Sequence, residues 1–504
     1  MRRPRTIVKL ARKYAPYVAL FLMAAVYAVA LSIVSIDGYN RFAYSAFDLG
    51  LFDQGIWLVS IGRDPFITIR GMHLFGDHIQ FTSVLFAPFY AVWNDARALL
   101  VAQSVVLASG AVPLFLIAKE KLKSQYVSLA FPFCYLLYPA LHYLNLENFH
   151  PVTLAVPMLL SAFYFMTRKR YAPYLALVVL LLLTREELIF TVLALGAYAF
   201  LFHDRRIGIA TALLALVWIP AVFYVVFPHY IQFYTPFQHP NMARGGGITD
   251  IIGAVISPQE MASRLGTQAN LAYLSGILAP VAFVPLLQPQ VFMLALPALA
   301  INMITGWPYA HSIEYHYTYA IIPFVFISVV YVFSSAIDIM KKRGFRFRKA
   351  ALWLAVSALV AASIAGNVAV GPGSTSVTSG RFAEIFEAFW NANPRDVVMQ
   401  EAVAVVPGTA TVSASYLFVP HMSHREVIYM FPNPFREAYW GAEFGNFTPP
   451  TPTKDVDYIV LDGTVNEFER ETVVRPLLES GAYYKIFEKE GVAVLRRSVT
   501  LNNP

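Results

Sequence analysis

Leu180 to Leu193 reads LLLLTREELIFTVL, an apolar run broken by three consecutive charges, Arg185, Glu186 and Glu187. At the centre of a lipid bilayer each of those charges costs roughly 2.5–3.5 kcal/mol. The flanks decide how the stretch is placed. RKR at 168–170 and DRR at 204–206 put both ends of 171–202 on one side of a membrane, so the segment reads as a helical hairpin with Arg-Glu-Glu at its tip. Arms of about 14 and 16 residues, at ~1.5 Å per residue, reach only ~21–24 Å into a hydrocarbon core of ~30 Å. The tip therefore lies several ångströms below the far surface, in a wet cavity lined by protein. The alternative is an Arg–carboxylate staple that fixes the hairpin and does nothing else.

The whole chain supports a membrane setting. Of 504 residues 57% are hydrophobic and only 14% charged, against about 25% charged in a soluble globule, and the mean hydropathy is +0.54. Apolar runs fall at 15–36, 97–118, 124–141, 152–167, 171–184, 187–202, 207–228, 271–287, 290–306, 318–338 and 350–370. The pattern predicts a polytopic protein of about eleven transmembrane helices, two of them short. The connections on the side of the N-terminus carry twenty Lys and Arg, and those on the other side six. This places the N-terminus in the cytoplasm and the other face outside. The net charge of +7 then follows from topology rather than nucleic-acid binding. AVA at 28–30 resembles a signal-peptidase site, but the run around it suits an uncleaved first helix better. The single cysteine, Cys134, excludes an intramolecular disulfide.

Two regions follow: a transmembrane domain over 1–370, and an outer tail over 371–504. The outer loops are 37–96, 142–151, 229–270 and 307–317. From GPGSTSVTSG onward the tail alternates strand-like runs (TATVSAS, REVIYMF, DYIVLD, YYKIFEKEGVAVLRR) with helix-like ones (RFAEIFEAFW, EFERETVVRPLLES), the pattern of a small α/β domain.

Nearly every outer loop carries carboxylates or histidines at a membrane edge. Loop 37–96 holds Asp37, then FDLGLFDQGIW with Asp48 and Asp53, then MHLFGDH with His73, Asp77 and His78. HYLNLENFHP supplies His142, Glu147 and His150, and WPYAHSIEYHYTY supplies His311, Glu314 and His316. Six of the eleven histidines thus lie in these three loops. Each position also has a plain reading: Asp53 as the wet side of an amphipathic helix, His78 as half of a loop pair with Asp77, the tyrosines near His316 as an interfacial belt. No HExxH, CxxC, phosphate-loop or GxSxG pattern is present.

FDLGLFDQGIW, the GDH that follows, LENFHP, the intramembrane REE and the tail segments VSASYLFVPHMSHREVIYMFP and VDYIVLDG resemble the DUF2079 family of predicted membrane proteins. That family is similar in turn to the GT-C glycosyltransferases, which use lipid-phosphate sugars. The resemblance implies a sugar transfer on the outer face from a polyprenyl- or dolichyl-type lipid-phosphate donor, with the bilayer itself as a partner. It also implies an acidic residue in the first outer loop, acting as base or holding a divalent metal, and Asp48 occupies that place. Asp48, Glu186 and Glu187 are accordingly the expected catalytic carboxylates. Arg185, Asp53, His78, His150, His311 and His316 are the expected substrate-binding residues. Asp48, Asp77 and Glu147 are the expected ligands of a hard divalent ion such as Mg or Mn, whereas histidines would favour a transition metal. A transporter or lipid flippase, or a scaffold whose tail binds another protein, are the competing readings, since buried charges also mark permeation paths.

Overall fold

The computed structural model describes residues 3–230, 253, 256–374, 393–439 and 455–498. Most of loop 229–270 and the helix-like run RFAEIFEAFW lie outside the described residues. Helix forms on all or part of each of the eleven apolar runs. Five helices are long and apolar enough to cross a membrane: Arg12–Asn40, Arg97–Leu122, Arg205–Tyr230, Ile322–Lys342 and Arg348–Val370. A sixth crossing is available if Gln125–Leu136 and Pro139–Leu146, bent by 48°, act as one span. The bend has a local cause. Tyr138 precedes a proline and takes an extended backbone (φ −72°, ψ 124°), because the proline ring disfavours a helical residue before it. Pro151–Thr167, Tyr171–Leu182, Leu188–Phe202 and Pro289–Ile304 are apolar but shorter.

Arg97–Leu122 and Ile322–Lys342 are mostly buried, whereas the other three long helices expose most of their apolar side chains, as lipid-facing helices do. Leu188–Phe202 and Arg205–Ala221 pack with their backbones almost touching. A Cβ at Gly208 would sit 2.4 Å from the Phe200 amide nitrogen, the small-residue contact that membrane helices use in place of hydrophobic driving force. Between these two helices Asp204 caps the amides of Arg206 and Ile207 at 2.9 and 3.3 Å.

The first outer loop is folded throughout. It contains the helix Leu51–Ser60, a two-residue hairpin of β1 (Phe66–Ile67) and β2 (Met72–His73), and a 3₁₀ helix over Phe81–Ala91. The start of that last helix sits on the tip of the 171–202 hairpin, where the Thr82 amide donates to the Leu183 carbonyl at 3.3 Å and the Thr82 hydroxyl to Thr184 at 3.1 Å.

Every strand-like run of the tail becomes a strand. β3 (Val412–Ala414), β4 (Ile428–Met430), β5 (Tyr458–Leu461), β6 (Tyr483–Lys489) and β7 (Val492–Arg497) form one mixed sheet in the order β4-β3-β5-β7-β6. β4, β3 and β5 run parallel, and β7 and β6 close one edge antiparallel. The two-residue period divides the side chains cleanly. Val412, Ala414, Tyr458 and Val460 face a core that also contains Tyr39, Leu49, Ile56 and Phe86 of the first loop. Ile459, Leu461 and Leu495 face a smaller core with Val473. The sheet thus shares its main core with the first outer loop, and that shared packing sets where the loop's polar residues point.

Candidate functional site

A cavity of about 480 Å³ opens where the first loop, the hairpin tip, loop 307–317 and the tail meet, a size suited to a small-molecule ligand. Its wall includes Asp48, Arg70, Asp77, His78, Glu147, His150, Arg185 and His316. Asp48, Arg185 and the residues of three separate outer loops therefore converge, as their shared side and depth in the sequence imply.

Asp48 is presented by a tight turn over Ala46–Gly50, immediately before the helix Leu51–Ser60. Its backbone is left-handed, with φ 61° and ψ −72°, a conformation rare for a side chain other than glycine. Asn148, fully buried, clamps the turn from both sides. Its carbonyl oxygen accepts from the Leu49 amide at 3.1 Å, and its amide donates to the Phe47 carbonyl at 3.1 Å and to Asp48 Oδ2 at 3.4 Å. Gln103, on the long helix below, holds that loop in turn: its amide donates to the Asn145 and Asn148 carbonyls at 2.9 and 2.7 Å, and its oxygen accepts from the His150 amide at 2.8 Å.

The charges of the opening stretch are each engaged. Arg185, 7% exposed, reaches Glu187 at 3.1 Å and His78 Nε2 at 3.0 Å. Glu186 accepts from the Ile79 amide at 3.1 Å and meets His78 Nδ1 at 2.6 Å. Glu187 accepts from the Tyr319 hydroxyl at 3.0 Å. Burial and the Arg185 charge pull the His78 imidazole down, but Glu186 and Asp77 outweigh them and hold its pKa above the usual histidine value. Arg185 and His78 line the cavity, whereas Glu186 and Glu187, expected as catalytic carboxylates, do not. They lie behind Arg185 and His78 and orient them, because a buried guanidinium requires paired carboxylates.

Two further expectations are corrected. Asp53 is fully buried and accepts from the Tyr90 and Ser423 hydroxyls, with His424 Nε2 at 3.1 Å. It belongs to the junction of loop and tail rather than to the cavity or to a wet helix face. His311 is fixed by the Asn270 side chain and the Thr305 carbonyl, each at 2.8 Å, and braces its loop outside the cavity wall.

The expected metal ligands also regroup. Asp77 pairs with Arg70 at 2.9 Å. Among the described residues the set with metal-ligand spacing is Glu147, His150 and His316, whose ligand atoms all lie within 4.8 Å of one another. His150 Nε2 is 2.5 Å and His316 Nδ1 3.6 Å from Glu147 Oε2. The two imidazoles stand with centroids 3.8 Å apart. Burial, with help from His150, pushes His316 down to about 3, so its ring is neutral and able to donate a lone pair. Two imidazoles and one carboxylate suit zinc or another transition metal better than Mg or Mn.

The sequence reading did not single out Arg70, Asn148 or the aromatic wall of Trp307, Tyr309, Tyr315, Tyr317 and Tyr416. Arg70 was legible only as one of the few outer-face cations. The tyrosines near His316 have the plain reading of an interfacial belt, and nothing local marks a wall.

The fold is that of a polytopic membrane protein built like ArnT. ArnT from Cupriavidus metallidurans in the apo state superposes with a TM-score of 0.56 at 11% identity, covering 98% of this chain and 100% of that one. The same protein bound to undecaprenyl phosphate gives 0.54 at 12% identity, covering 95% and 99%. No curated protein matches this chain in sequence. The chain belongs to the DUF2079 family of predicted membrane proteins, matched over residues 39–492.

The clamp at the hairpin tip gives a stability prediction. Arg185→Ala leaves Glu187 with Tyr319 and removes the cation beside it, and breaking a pair of this burial costs about 3 kcal/mol. Arg185→Lys keeps the charge and should lose less than half of that. Thermal unfolding in detergent ranks the variants, and an Ala variant as stable as the wild type would remove the clamp's structural role.

Proposed function

We propose that the chain is a membrane glycosyltransferase that moves a sugar from a polyprenyl- or dolichyl-type lipid-phosphate donor to an acceptor hydroxyl on the outer face. The observation that carries this reading is the meeting of one strained, cavity-facing carboxylate, Asp48, with two buried guanidiniums, Arg70 and Arg185, at a membrane edge. The likeness to a protein solved with undecaprenyl phosphate supports the choice of lipid.

In this reading Asp48 accepts the proton of the acceptor hydroxyl as that oxygen bonds to the anomeric carbon. The bond from that carbon to the donor phosphate breaks, and the lipid phosphate leaves with both electrons. Arg185 and Arg70 carry the charge that gathers on the departing oxygens, a task suited to a planar fork of donors. Glu187 and His78 fix the Arg185 fork. Tyr317, Tyr416 and Trp307 offer flat faces to the sugar ring and exclude water. Glu147, His150 and His316 are the residues that would hold a transition metal, which when bound adds positive charge to the same cavity wall.

Transport is the weaker reading, because the charged groups gather on one face. Topology belongs to the proposal too: eleven crossings with the N-terminus in the cytoplasm of a plasma-membrane protein place the tail outside, in agreement with the distribution of Lys and Arg.

Three measurements test these statements. With a radiolabelled polyprenyl-phosphate sugar, Asp48→Asn should lower donor turnover by about 10²–10⁴-fold, the contribution of a general base, with stability close to wild type. Full activity in that variant removes Asp48 as the base. Elemental analysis of purified protein should find about one equivalent of zinc or a related metal in the wild type, as a three-ligand site requires, and a loss in His316→Ala. Equal metal in both would exclude the triad as the site. Finally, Cys134 is the chain's single cysteine and is buried, so Ser374→Cys can be probed cleanly. It should react with a membrane-impermeant thiol reagent on intact cells while Lys342→Cys is protected, and the reverse pattern would invert the topology.

A further inference from the structure

Between Ser415 and Arg425 the tail touches the first loop on both sides of Asp48. The Ala46 amide donates to the Tyr416 carbonyl at 2.9 Å, and the Tyr39 hydroxyl donates to the Pro420 carbonyl at 3.2 Å. Gly50, two residues past Asp48, lies so close to the tail that a Cβ would stand 3.0 Å from Val419 Cγ1. One turn on, Asp53 gathers Ser423 and His424 of the tail and Tyr90 of the loop. Thr68 extends the seam, donating to the Ile428 carbonyl at 2.6 Å and accepting from the Ile428 amide at 2.9 Å.

A carboxylate buried at such a seam is a poor source of stability, because its desolvation offsets most of what its bonds return. The best-attested use of such groups is to fix register. What is held in register here is a turn whose left-handed aspartate costs of order 1–3 kcal/mol and persists only where its surroundings over-determine it. The same tail segment sends Tyr416 into the cavity wall.

We propose that the tail is a positioning element of the catalytic unit: Gly50, Asp53 and Ser423 lock the Asp48 turn against the segment Ser415–Arg425, which also lends Tyr416 to the cavity. The proposal rests on the transfer reaction for its catalytic part and on geometry alone for the coupling of tail and turn. A tail that only bound another protein would have no need of these contacts.

Gly50→Ala tests the coupling directly. Gly50 has ordinary helical angles (φ −62°, ψ −41°), so alanine is acceptable to the backbone and its effect passes through Val419. Hydrogen exchange of peptides covering 45–52 and 415–424 should quicken about tenfold in both, while Ile322–Lys342 stays unchanged. Donor turnover with a radiolabelled polyprenyl-phosphate sugar should show kcat lowered by about 10–100-fold, as for a misplaced catalytic group, with the KM within about twofold. Gly50→Ala/Val419→Ala removes the offending methyl and should restore both readings. Ser423→Ala, which adds no volume, should act in the same direction as Gly50→Ala. Exchange that quickens in 415–424 and not in 45–52 overturns the coupling, and coupled exchange with unchanged kcat overturns the positioning role. A wild type that does not process the donor overturns the transfer reaction, and the exchange measurements still decide whether tail and turn are locked together.

Discussion

The contact between His78 Nδ1 and Glu186, at 2.6 Å, joins the first outer loop to the tip of the hairpin, and much of the site depends on it. A guanidinium near membrane depth cannot stand without carboxylates. Glu186 and Glu187 meet that requirement, and by doing so they bring the loop's histidine onto the far side of Arg185. The hairpin tip thereby becomes a floor on which the 66–82 segment rests. Arg70 and Asp77 arrive in the cavity with that segment, already paired with each other.

The cavity wall mixes acidic and basic groups: Asp48, Asp77 and Glu147 line it together with Arg70 and Arg185. His150 and His316 stack on each other beside Glu147, and Arg70 and Arg185 are paired with Asp77 and Glu187. The aromatic side chains of loop 307–317 and of Tyr416 close the remaining wall without adding charge.

The tail is part of this arrangement and not an appendage. Its sheet presents alternate residues to two cores, and the face that meets the first loop completes a core neither segment closes alone. Asp53, Asn148 and Gln103 then act as internal struts: each is fully buried, Asn148 and Gln103 fix the backbone of neighbouring segments, and Asp53 gathers side chains of the loop and the tail. Buried polar groups of this kind rigidify when fully bonded, which is what the strained turn at Asp48 requires.

Several features were legible in the chain itself. Composition and the lengths of the apolar runs established a polytopic membrane protein, because the bilayer enforces those lengths on any sequence. The short arms around Arg-Glu-Glu are present as the short apolar helices Tyr171–Leu182 and Leu188–Phe202. The strand-like runs of the tail located each of its strands among the described residues. The shared side of Asp48, Glu147, His150, Arg185 and His316 followed from topology. What the sequence left open was which polar group meets which. Asp53 and Asp48 stand five residues apart in near-identical surroundings, yet one is a sealed anchor and the other faces the cavity. That division is made by Ser423 and His424, some 370 positions away in the chain. Likewise Glu186 and Glu187 read as catalytic carboxylates or as a staple for Arg185, with nothing local to mark His78 and Tyr319 as their partners, and Glu147 finds its histidine partner His316 only when a distant loop folds back. Local pattern fixes period and length. Hydrogen-bond partners and burial depend on contacts between segments far apart in sequence, and these the tertiary structure alone decided.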